Sequence, residues 1–334
     1  MPDTINVALS IWDPSGTYSR HAGVVIASVL KNTKSNVMFH LLHDETLSDG
    51  NKQKLEETAT KFDGKVNFID VTDEMKKHSG VDIARITGAF TPGSVFRLLL
   101  PRLTKMSKVI YLDCDVVVNL DIKEFWDIDL DGYYIAAIND KAGQTISDKP
   151  LLSNSRFRMW MMDIPLENYF NSGVVMLNLD EIRRDFNLFE EGLKFFEHYE
   201  RCTEFPDQDL LNKLFSKKTR IIDPKFHVFA REAMKRKDFS NTIWHFTGEK
   251  PWNIHLGNPL ELLYWQYLKE SAWGNHLIEY MLEARSSKYV HVHTSDCYKK
   301  IGRRLKLNVV KSLPANILSV LYGELLFRMR NLGR

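Results

Sequence analysis

The first 180 residues alternate between short apolar runs and longer stretches in which apolar residues recur at helical spacing. The runs are rich in Val, Ile, Phe and Tyr, and nearly continuous apolar runs are typical of strands buried on both faces of a parallel sheet. The predicted strands are Asn6–Ile11, Val37–His43, Val66–Val71, Val109–Leu112, Tyr134–Ile138 and Gly173–Leu179. The predicted helices between them are His21–Leu30, Lys52–Phe62 after a cap at Ser48, and Gly93–Leu103. This alternation predicts an α/β fold in which helices cover a central sheet.

The pattern changes after Asp180. A helix is predicted over Asp207–Phe215, short strands and turns over 219–256, and mostly helical, increasingly basic sequence over 257–334. At about 150 residues per domain, a chain of 334 residues has room for one large α/β domain with an appendage. We therefore predict a catalytic domain over residues 1–256 and a helical extension over residues 257–334.

Composition excludes several classes of protein. A chain that is 44% hydrophobic and 26% charged is not globally disordered, and a net charge of +2 excludes a uniformly basic nucleic-acid binder. Its three cysteines lie far apart and outside any C-x-x-C spacing, which favours a reduced compartment and excludes a cysteine-only zinc site. The N-terminus has no signal-peptide pattern and no apolar run reaches 18 residues, so we expect a cytoplasmic protein.

The basic charge is concentrated at the C-terminus. Residues 286–334 hold ten Lys/Arg and two Asp/Glu, which leaves a net charge of −6 on the remainder. Four apolar residues at helical spacing accompany the basic cluster Lys299–Lys306, and they are Ile317, Leu318, Leu321 and Leu325. This combination predicts a peripheral contact with the anionic inner face of a membrane. The alternative is a helical pair that packs on the domain and exposes a solvated basic face.

The strongest chemical signal is an apolar strand that ends in Asp113 and Asp115. In open α/β sheets, ligands bind beyond the carboxyl ends of strands. Two carboxylates there can hold a hard divalent cation, and the cation can bind a diphosphate. By strand alternation, Cys114 between them points away and packs. An Asp-x-Asp pair is also common in solvated acidic turns, and the chain repeats it at Asp127/Asp129, Asp129/Asp131 and Asp207/Asp209.

A second signal is the segment Trp244–Trp252, in which His245, Gly248 and Lys250 can serve one phosphate-bearing ligand. Imidazole can bind a metal, glycine allows close backbone approach, and lysine supplies a point charge to phosphate. The alternative is a packed or surface histidine beside a tryptophan that anchors the core. Two further motifs also have structural alternatives: Asn171-Ser172 as a turn before a strand, and Asp207-Gln208-Asp209 as a helix cap.

The order of these motifs resembles that of the family 8 glycosyltransferases, which include glycogenin and the bacterial lipopolysaccharide galactosyltransferases. The matching segments, spread over residues 5–256, are Ser94–Leu98, Tyr111–Asp115, Phe170–Val174, Asp207–Asp209 and His245–Trp252. The resemblance implies a GT-A fold, which is a Rossmann-like mixed sheet flanked by helices. It also implies a UDP-hexose donor, a manganese ion with magnesium as the alternative, and retention at the anomeric carbon.

The resemblance also implies roles for individual residues. Asp113, Asp115 and His245 would be the metal ligands, a mixed oxygen and nitrogen set that suits manganese better than calcium. Gly248 and Lys250 would contact the diphosphate. The other implied donor-site residues are Arg97, Asp140, Asn171, Asp207 and Gln208, with Asp140, Asp207 and Gln208 as the catalytic group and Gln208 facing the anomeric carbon.

The N-terminal loop departs from the family pattern. Residues Ile11–Tyr18 form a longer segment than the loop that follows the first strand in the galactosyltransferases. The resemblance implies that Asp13 contacts the uracil, while Thr17 stands where the family commonly has Asn.

The expected reaction is transfer of galactose or glucose from UDP to an oligosaccharide, glycolipid or glycoprotein acceptor. Because the amide of Gln208 is a poor nucleophile, same-face attack by the acceptor is favoured over a covalent intermediate. One alternative is a sugar nucleotidyltransferase, but that class has a Gly-rich phosphate loop after the first strand, where this chain has only Gly16. The other is a catalytically inactive membrane-bound partner of another glycosyltransferase.

Overall fold

The computed structural model describes residues 4–78, 91–140, 159–165, 168–199, 203, 205–248, 250–253 and 259–286. The strands in these residues are β1 (Ile5–Ile11), β2 (Val37–His43), β3 (Lys65–Asp70), β4 (Lys108–Leu112), β5 (Val116–Asn119), β6 (Ile135–Ala137), β7 (Val174–Asn178), β8 (Thr219–Ile221), β9 (Val228–Phe229) and β10 (Thr242–His245). The helices are α1 (Ser19–Lys31), α2 (Asp49–Thr60), α3 (Thr72–Lys77), α4 (Gly93–Phe96), α5 (Leu100–Leu103), α6 (Lys123–Trp126), α7 (Leu179–Asp185), α8 (Leu188–Tyr199), α9 (Pro206–Phe215), α10 (Leu260–Glu270) and α11 (Leu277–Ser286).

A seven-stranded mixed sheet forms the centre, in the order β3-β2-β1-β4-β7-β6-β8. The first four of these strands are parallel, β7 is antiparallel to both β4 and β6, and β8 is parallel to β6. A second, three-stranded sheet has the order β5-β10-β9. The predicted α/β fold with a mixed sheet flanked by helices is confirmed.

The central sheet separates two apolar cores because successive side chains of a strand point to opposite faces. In β4, Ile110 and Leu112 enter the core beneath α1, whereas Val109 and Tyr111 enter the core that α8 and α9 cover. Both faces are therefore buried, as the continuous apolar character of the strand predicted.

Most predicted elements are present within one or two residues of their predicted bounds. Ser48 caps α2 as predicted, since its hydroxyl accepts a hydrogen bond from the Asn51 amide at 3.3 Å. The single helix predicted over Gly93–Leu103 is wrong: α4 and α5 are separated by a 3₁₀ segment, Arg97–Leu99. Pro101 has no amide hydrogen to bond within a continuous helix, which accounts for the break.

The described segment 259–286 packs on the predicted catalytic domain, against the core beneath α1. Helix α10 packs on α1, and its buried side chains Leu260, Tyr264 and Leu268 belong to the core beneath α1. The predicted division between 1–256 and 257–334 stays a prediction, because the basic cluster and the apolar residues after Ser286 lie outside the described residues. Within the described part of the chain, no helix combines the length and the apolar character needed to cross a bilayer.

Candidate functional site

The candidate site lies where β4 ends and β7 begins. Because these strands are antiparallel, with Leu112 opposite Val174, the residues after β4 meet the residues before β7. The Asp113 amide donates to the Gly173 carbonyl at 2.8 Å. The sheet thereby places the predicted Asn171-Ser172-Gly173 turn directly beside the predicted Asp-x-Asp pair.

The small sheet brings His245 to the same point. In the antiparallel pair of β5 and β10, His245 lies opposite Val116, and the Phe246 amide donates to the Asp115 carbonyl at 2.9 Å. The Nε2 atom of His245 is 3.1 Å from Asp115 Oδ1 and 4.0 Å from Asp113 Oδ2. Among the described residues, these three side chains are the group of carboxylate, thiol or imidazole ligands close enough to hold one metal ion.

Asp115 also pairs with Lys250, whose ammonium donates to Asp115 Oδ2 and to the Phe246 carbonyl. Burial alone would raise the pKa of Asp115, but the adjacent Lys250 and His245 outweigh it and hold that pKa well below its usual range. Asp115 therefore stays a carboxylate at neutral pH. An ionised carboxylate is the form that binds a cation.

Gly173 is needed because of this close approach. A Cβ atom at this position would lie 2.6 Å from Asp113 Oδ2 and closer still to the His245 ring. Such distances are below van der Waals contact. Gly248 has a different requirement, since its φ of +83° lies in the region that favours glycine.

Arg97 fixes the orientation of Asp113. Its Nη2 donates to Asp113 Oδ1 at 2.7 Å, its Nη1 donates to the Ser172 carbonyl at 2.7 Å, and its Nε lies 3.3 Å from Asp207 Oδ2. The guanidinium lies over the Tyr111 ring, 4.0 Å from its centroid. Arg97 is only 4% exposed, so these contacts compensate a buried charge.

The side chain of Asp207 is also buried, at the first turn of α9. Burial raises its pKa, the Arg97 charge opposes that rise, and the Asp113 charge adds to it. A carboxyl in this position is easier to protonate than an exposed one. The Arg97 charge and backbone amides at the start of α9 favour its ionised form.

Gln208 is held at both ends of its amide. Its Oε1 accepts from the Ser172 amide at 3.1 Å, and its Nε2 donates to the Tyr169 hydroxyl at 3.0 Å. The Tyr169 hydroxyl donates in turn to Asp209 Oδ1 at 2.6 Å. Since that carboxylate can only accept, the Tyr169 hydroxyl oxygen is left to accept from Gln208, which fixes the orientation of the Gln208 amide.

One cavity of about 570 Å³ joins these groups. The predicted site residues that line it are Arg97, Asp113, Asp115, Asn171, Asp207, Gln208, His245, Gly248 and Lys250. Trp12 and Tyr18, which belong to the longer N-terminal loop, also line the cavity. Its size and mixed lining are typical of a small-molecule site.

Three predicted donor-site residues do not line the cavity in the described structure. The Asp13 carboxylate is buried and accepts from the Tyr18 amide at 2.7 Å, the Asn51 side chain at 3.0 Å and the Ser19 hydroxyl. Thr17 is exposed and its hydroxyl bonds to that of Ser15. Asp140 is buried at the end of a described segment. Their direct contact with a ligand stays a prediction.

The other Asp-x-Asp pairs have local roles. Asp129 Oδ1 accepts from the Asp131 amide at 3.0 Å, which is a turn bond, and Asp127 pairs with Lys123 one helical turn away. Asp209 supports Tyr169, as described above. Cys114 is buried and its thiol lies 3.4 Å from the Ser10 carbonyl.

Sequence reasoning missed two buried residues that support the site. Tyr169 directly precedes the Phe170–Val174 motif, and its bond to Gln208 joins residues 39 positions apart. His227 lies in a Pro- and Phe-containing segment with no motif, yet its Nε2 is 2.7 Å from His245 Nδ1. Burial lowers the pKa of His227 well below its usual value.

The chain is similar in sequence to one known protein family and to several known relatives. The sequence profile described as "Glycosyl transferase family 8" matches residues 13–255. General stress protein A of Bacillus subtilis is 29% identical, over 77% of this chain and 91% of that protein. Lipopolysaccharide 1,2-glucosyltransferase of Escherichia coli K12 is 27% identical, over 81% of this chain and 79% of that protein.

Among solved structures, the galactosyltransferase LgtC, in complex with donor and acceptor sugar analogues, superposes with a TM-score of 0.64. It is 23% identical, and the match covers 80% of this chain and 96% of LgtC. This likeness shows that the chain has the GT-A type of fold.

Proposed function

The chain belongs to glycosyl transferase family 8, and from this premise we propose that it transfers a hexose from a UDP-sugar to a saccharide acceptor with retention of anomeric configuration. The observation that carries the proposal is the lining of one cavity by the cluster of Asp113, Asp115 and His245, the Lys250 ammonium and the Gln208 amide. A nucleotide-sugar bound here would use these groups one after another. The cluster would hold its cation, the ammonium would face its diphosphate, and the amide would face its sugar.

The cluster fits a hard divalent cation. Each of its three residues offers one ligand atom, and these atoms lie within 4.8 Å of one another. Two carboxylates and one imidazole suit Mn²⁺, with Mg²⁺ as the alternative. When bound, such a cation supplies Lewis-acid stabilisation of negative charge on a diphosphate.

Lys250 and the backbone around Gly248 support the diphosphate side of the cavity. The Lys250 ammonium already lies against Asp115, so its position beside the cation cluster is set before substrate arrives. As the bond between sugar and diphosphate breaks, negative charge grows on the leaving phosphate. A fixed ammonium stabilises that charge without reorganising.

The sugar side of the cavity favours attack by the acceptor itself. The Oε1 atom of Gln208 is held by the Ser172 amide, so it is poorly placed to leave this bond and act as a nucleophile. In same-face attack, the acceptor oxygen forms the new glycosidic bond while the bond to UDP breaks. The acceptor proton passes to the leaving phosphate oxygen, which balances the step without a protein nucleophile.

Donor and acceptor are proposed at the level of class. Galactose or glucose is the transferred sugar, and the uridine would lie along Trp12 and Tyr18, with Asp13 and Thr17 shaping the loop that carries them. An oligosaccharide or glycolipid of the lipopolysaccharide type is the favoured acceptor, because a lipopolysaccharide glucosyltransferase is among the relatives. Peripheral membrane contact through Lys299–Lys306 would bring the enzyme to such an acceptor.

Release of UDP from a panel of UDP-sugars, with and without Mn²⁺, tests the enzymatic proposal. We expect Mn²⁺-dependent UDP release with UDP-galactose or UDP-glucose that an acceptor accelerates, and loss of that release in Asp115→Asn. The alternative of an inactive partner subunit predicts no release with any donor. Trapping of a sugar on Asp207, Gln208 or Asp140 would overturn same-face attack while leaving the transferase assignment intact.

A further inference from the structure

His227 lies behind the cation cluster without facing the cavity. It follows the 3₁₀ segment Pro224–Phe226 and comes just before β9, the neighbour of β10 in the small sheet. It is 1% exposed, its ring centroid is 4.9 Å from that of His245, and its Nε2 is 2.7 Å from His245 Nδ1. The two imidazoles thus share one hydrogen bond.

We infer that His227 is a positioning residue that, when a cation is bound, holds His245 in the tautomer with its proton on Nδ1. The inference rests on the proposed cation site and deepens it. It assigns a role to a side chain that touches neither cation nor substrate.

The geometry of His245 requires this tautomer for metal binding. Its Nε2 faces Asp115 and Asp113, so the lone pair that binds a cation has to be on Nε2. A neutral imidazole with a free Nε2 carries its proton on Nδ1 and donates from there. Among the described residues, His227 Nε2 is the hydrogen-bond partner of His245 Nδ1, and it can act as the acceptor.

The opposite arrangement blocks the site. If His227 Nε2 donated, His245 Nδ1 would be the acceptor and the proton of His245 would lie on Nε2, directed at Asp115. That proton would occupy the position of the cation. The direction of one hydrogen bond between two histidines therefore decides whether His245 can bind the cation.

His227 is constrained in turn. To accept at Nε2, it has to carry its own proton on Nδ1, which is buried and has no hydrogen-bond partner among the described residues. In the blocked arrangement, His245 Nε2 would donate to Asp115, so loading from that arrangement moves the proton of each ring from Nε2 to Nδ1.

The first test measures Mn²⁺ affinity by electron paramagnetic resonance of the full chain, without any sugar nucleotide. His227→Phe keeps an aromatic ring but has no acceptor, and we expect its affinity to fall 10- to 100-fold. In His227→Gln, the amide oxygen can accept, and affinity should recover in part. The matched control is His40→Phe, which removes a buried imidazole that bonds to Asn6 and Asn67 outside the cavity.

Thermal midpoints without metal separate this role from packing. A lowered midpoint in His227→Phe with wild-type Mn²⁺ affinity would overturn the inference and leave the cation site standing. Loss of Mn²⁺ binding in Asp115→Asn identifies the cluster as the site that is measured. Absence of Mn²⁺ binding in the wild type would overturn both the cation site and the inference.

Long-range ¹H–¹⁵N spectra of the Mg²⁺-loaded protein read the tautomer directly and do not depend on how a variant folds. We expect His245 to be protonated at Nδ1 when Mg²⁺ is bound. A spectrum that shows the loaded His245 protonated at Nε2 would contradict the inference.

Discussion

Arg97 Nη2 lies 2.7 Å from Asp113 Oδ1, so a buried guanidinium holds one oxygen of a proposed metal ligand in place. The same guanidinium contacts Asp207 and the Ser172 carbonyl. Arg97 thereby connects three segments that sequence alone shows as separate motifs. The other Asp113 oxygen, Oδ2, faces His245.

Arg97→Met removes this connection. It leaves the buried carboxylate of Asp207 and the partly exposed carboxylate of Asp113 without their cation, and breaking a buried pair such as Arg97–Asp207 costs about 3–5 kcal/mol. We expect the free energy of unfolding in urea to fall by that amount and UDP release to fall with it. The control is Arg184→Met, which breaks an exposed pair with Glu181 and should cost less than about 1 kcal/mol. Equal losses in the two variants would contradict the proposed role of Arg97.

Gly173→Ala tests the close approach at the metal cluster. Its Cβ would collide with Asp113 and His245, which would have to move apart to admit it. We expect Mn²⁺ affinity to fall at least about 10-fold, as when a supporting group of a metal site is disturbed. Gly50→Ala is the matched control, because no heavy atom lies within 4 Å of its added Cβ. Titration of both variants with Mn²⁺ measures their affinities for the ion. An unchanged affinity in Gly173→Ala would refute the steric argument.

Local sequence predicted the strands and the position of the Asp113–Asp115 pair well, for a physical reason. The apolar runs that became β1, β2 and β4 are buried on both faces, so their composition directly reflects their environment. Asp113 and Asp115 follow such a strand, and charged side chains at that place are costly to bury unless they bind something. Their prediction needed only neighbouring residues.

The supporting contacts could not be predicted in the same way. The His227–His245 bond depends on the pairing of β9 with β10, and the Tyr169–Gln208 bond depends on how α9 packs on the main sheet. The break at Arg97–Leu99 was not predicted either. The helical spacing of the apolar residues in Gly93–Leu103 favoured one continuous helix despite Pro101. The hydrogen bonds that the Asp13 carboxylate accepts from its own loop were likewise not predicted from local sequence.

Tyr169→Phe tests the orientation of the Gln208 amide. The variant removes the hydroxyl that accepts from Gln208 and donates to Asp209, so both groups lose a buried partner. Loss of a buried hydrogen-bond partner of this kind costs about 1–3 kcal/mol. We expect kcat to fall roughly 10-fold with a smaller change in KM for the donor, because the amide loses its fixed direction at the sugar rather than its place in the cavity.

Tyr134→Phe separates this effect from general destabilisation. Its hydroxyl donates to Asp185 at 2.6 Å, outside the cavity. The control should lower stability while kcat stays at the wild-type value. A Tyr169→Phe enzyme with wild-type kcat would show that the orientation of Gln208 does not depend on this hydroxyl.

His40 predicts how the stability of the fold depends on pH. Its Nε2 bonds to Asn6 Oδ1 at 2.9 Å, its Nδ1 accepts from Asn67 at 3.3 Å, and burial lowers the pKa of His40 from 6.5 to about 4. Between these values the unfolded chain binds a proton that the folded chain does not. The stabilisation is therefore complete above pH 6.5 and is lost as pH falls toward 4, with a slope of at most about 1.4 kcal/mol per pH unit. His40→Gln should show a shallower decline in the free energy of unfolding between pH 6.5 and 4, measured by urea titration at several pH values. Parallel profiles for the variant and the wild type would mean that His40 titrates normally in the folded protein.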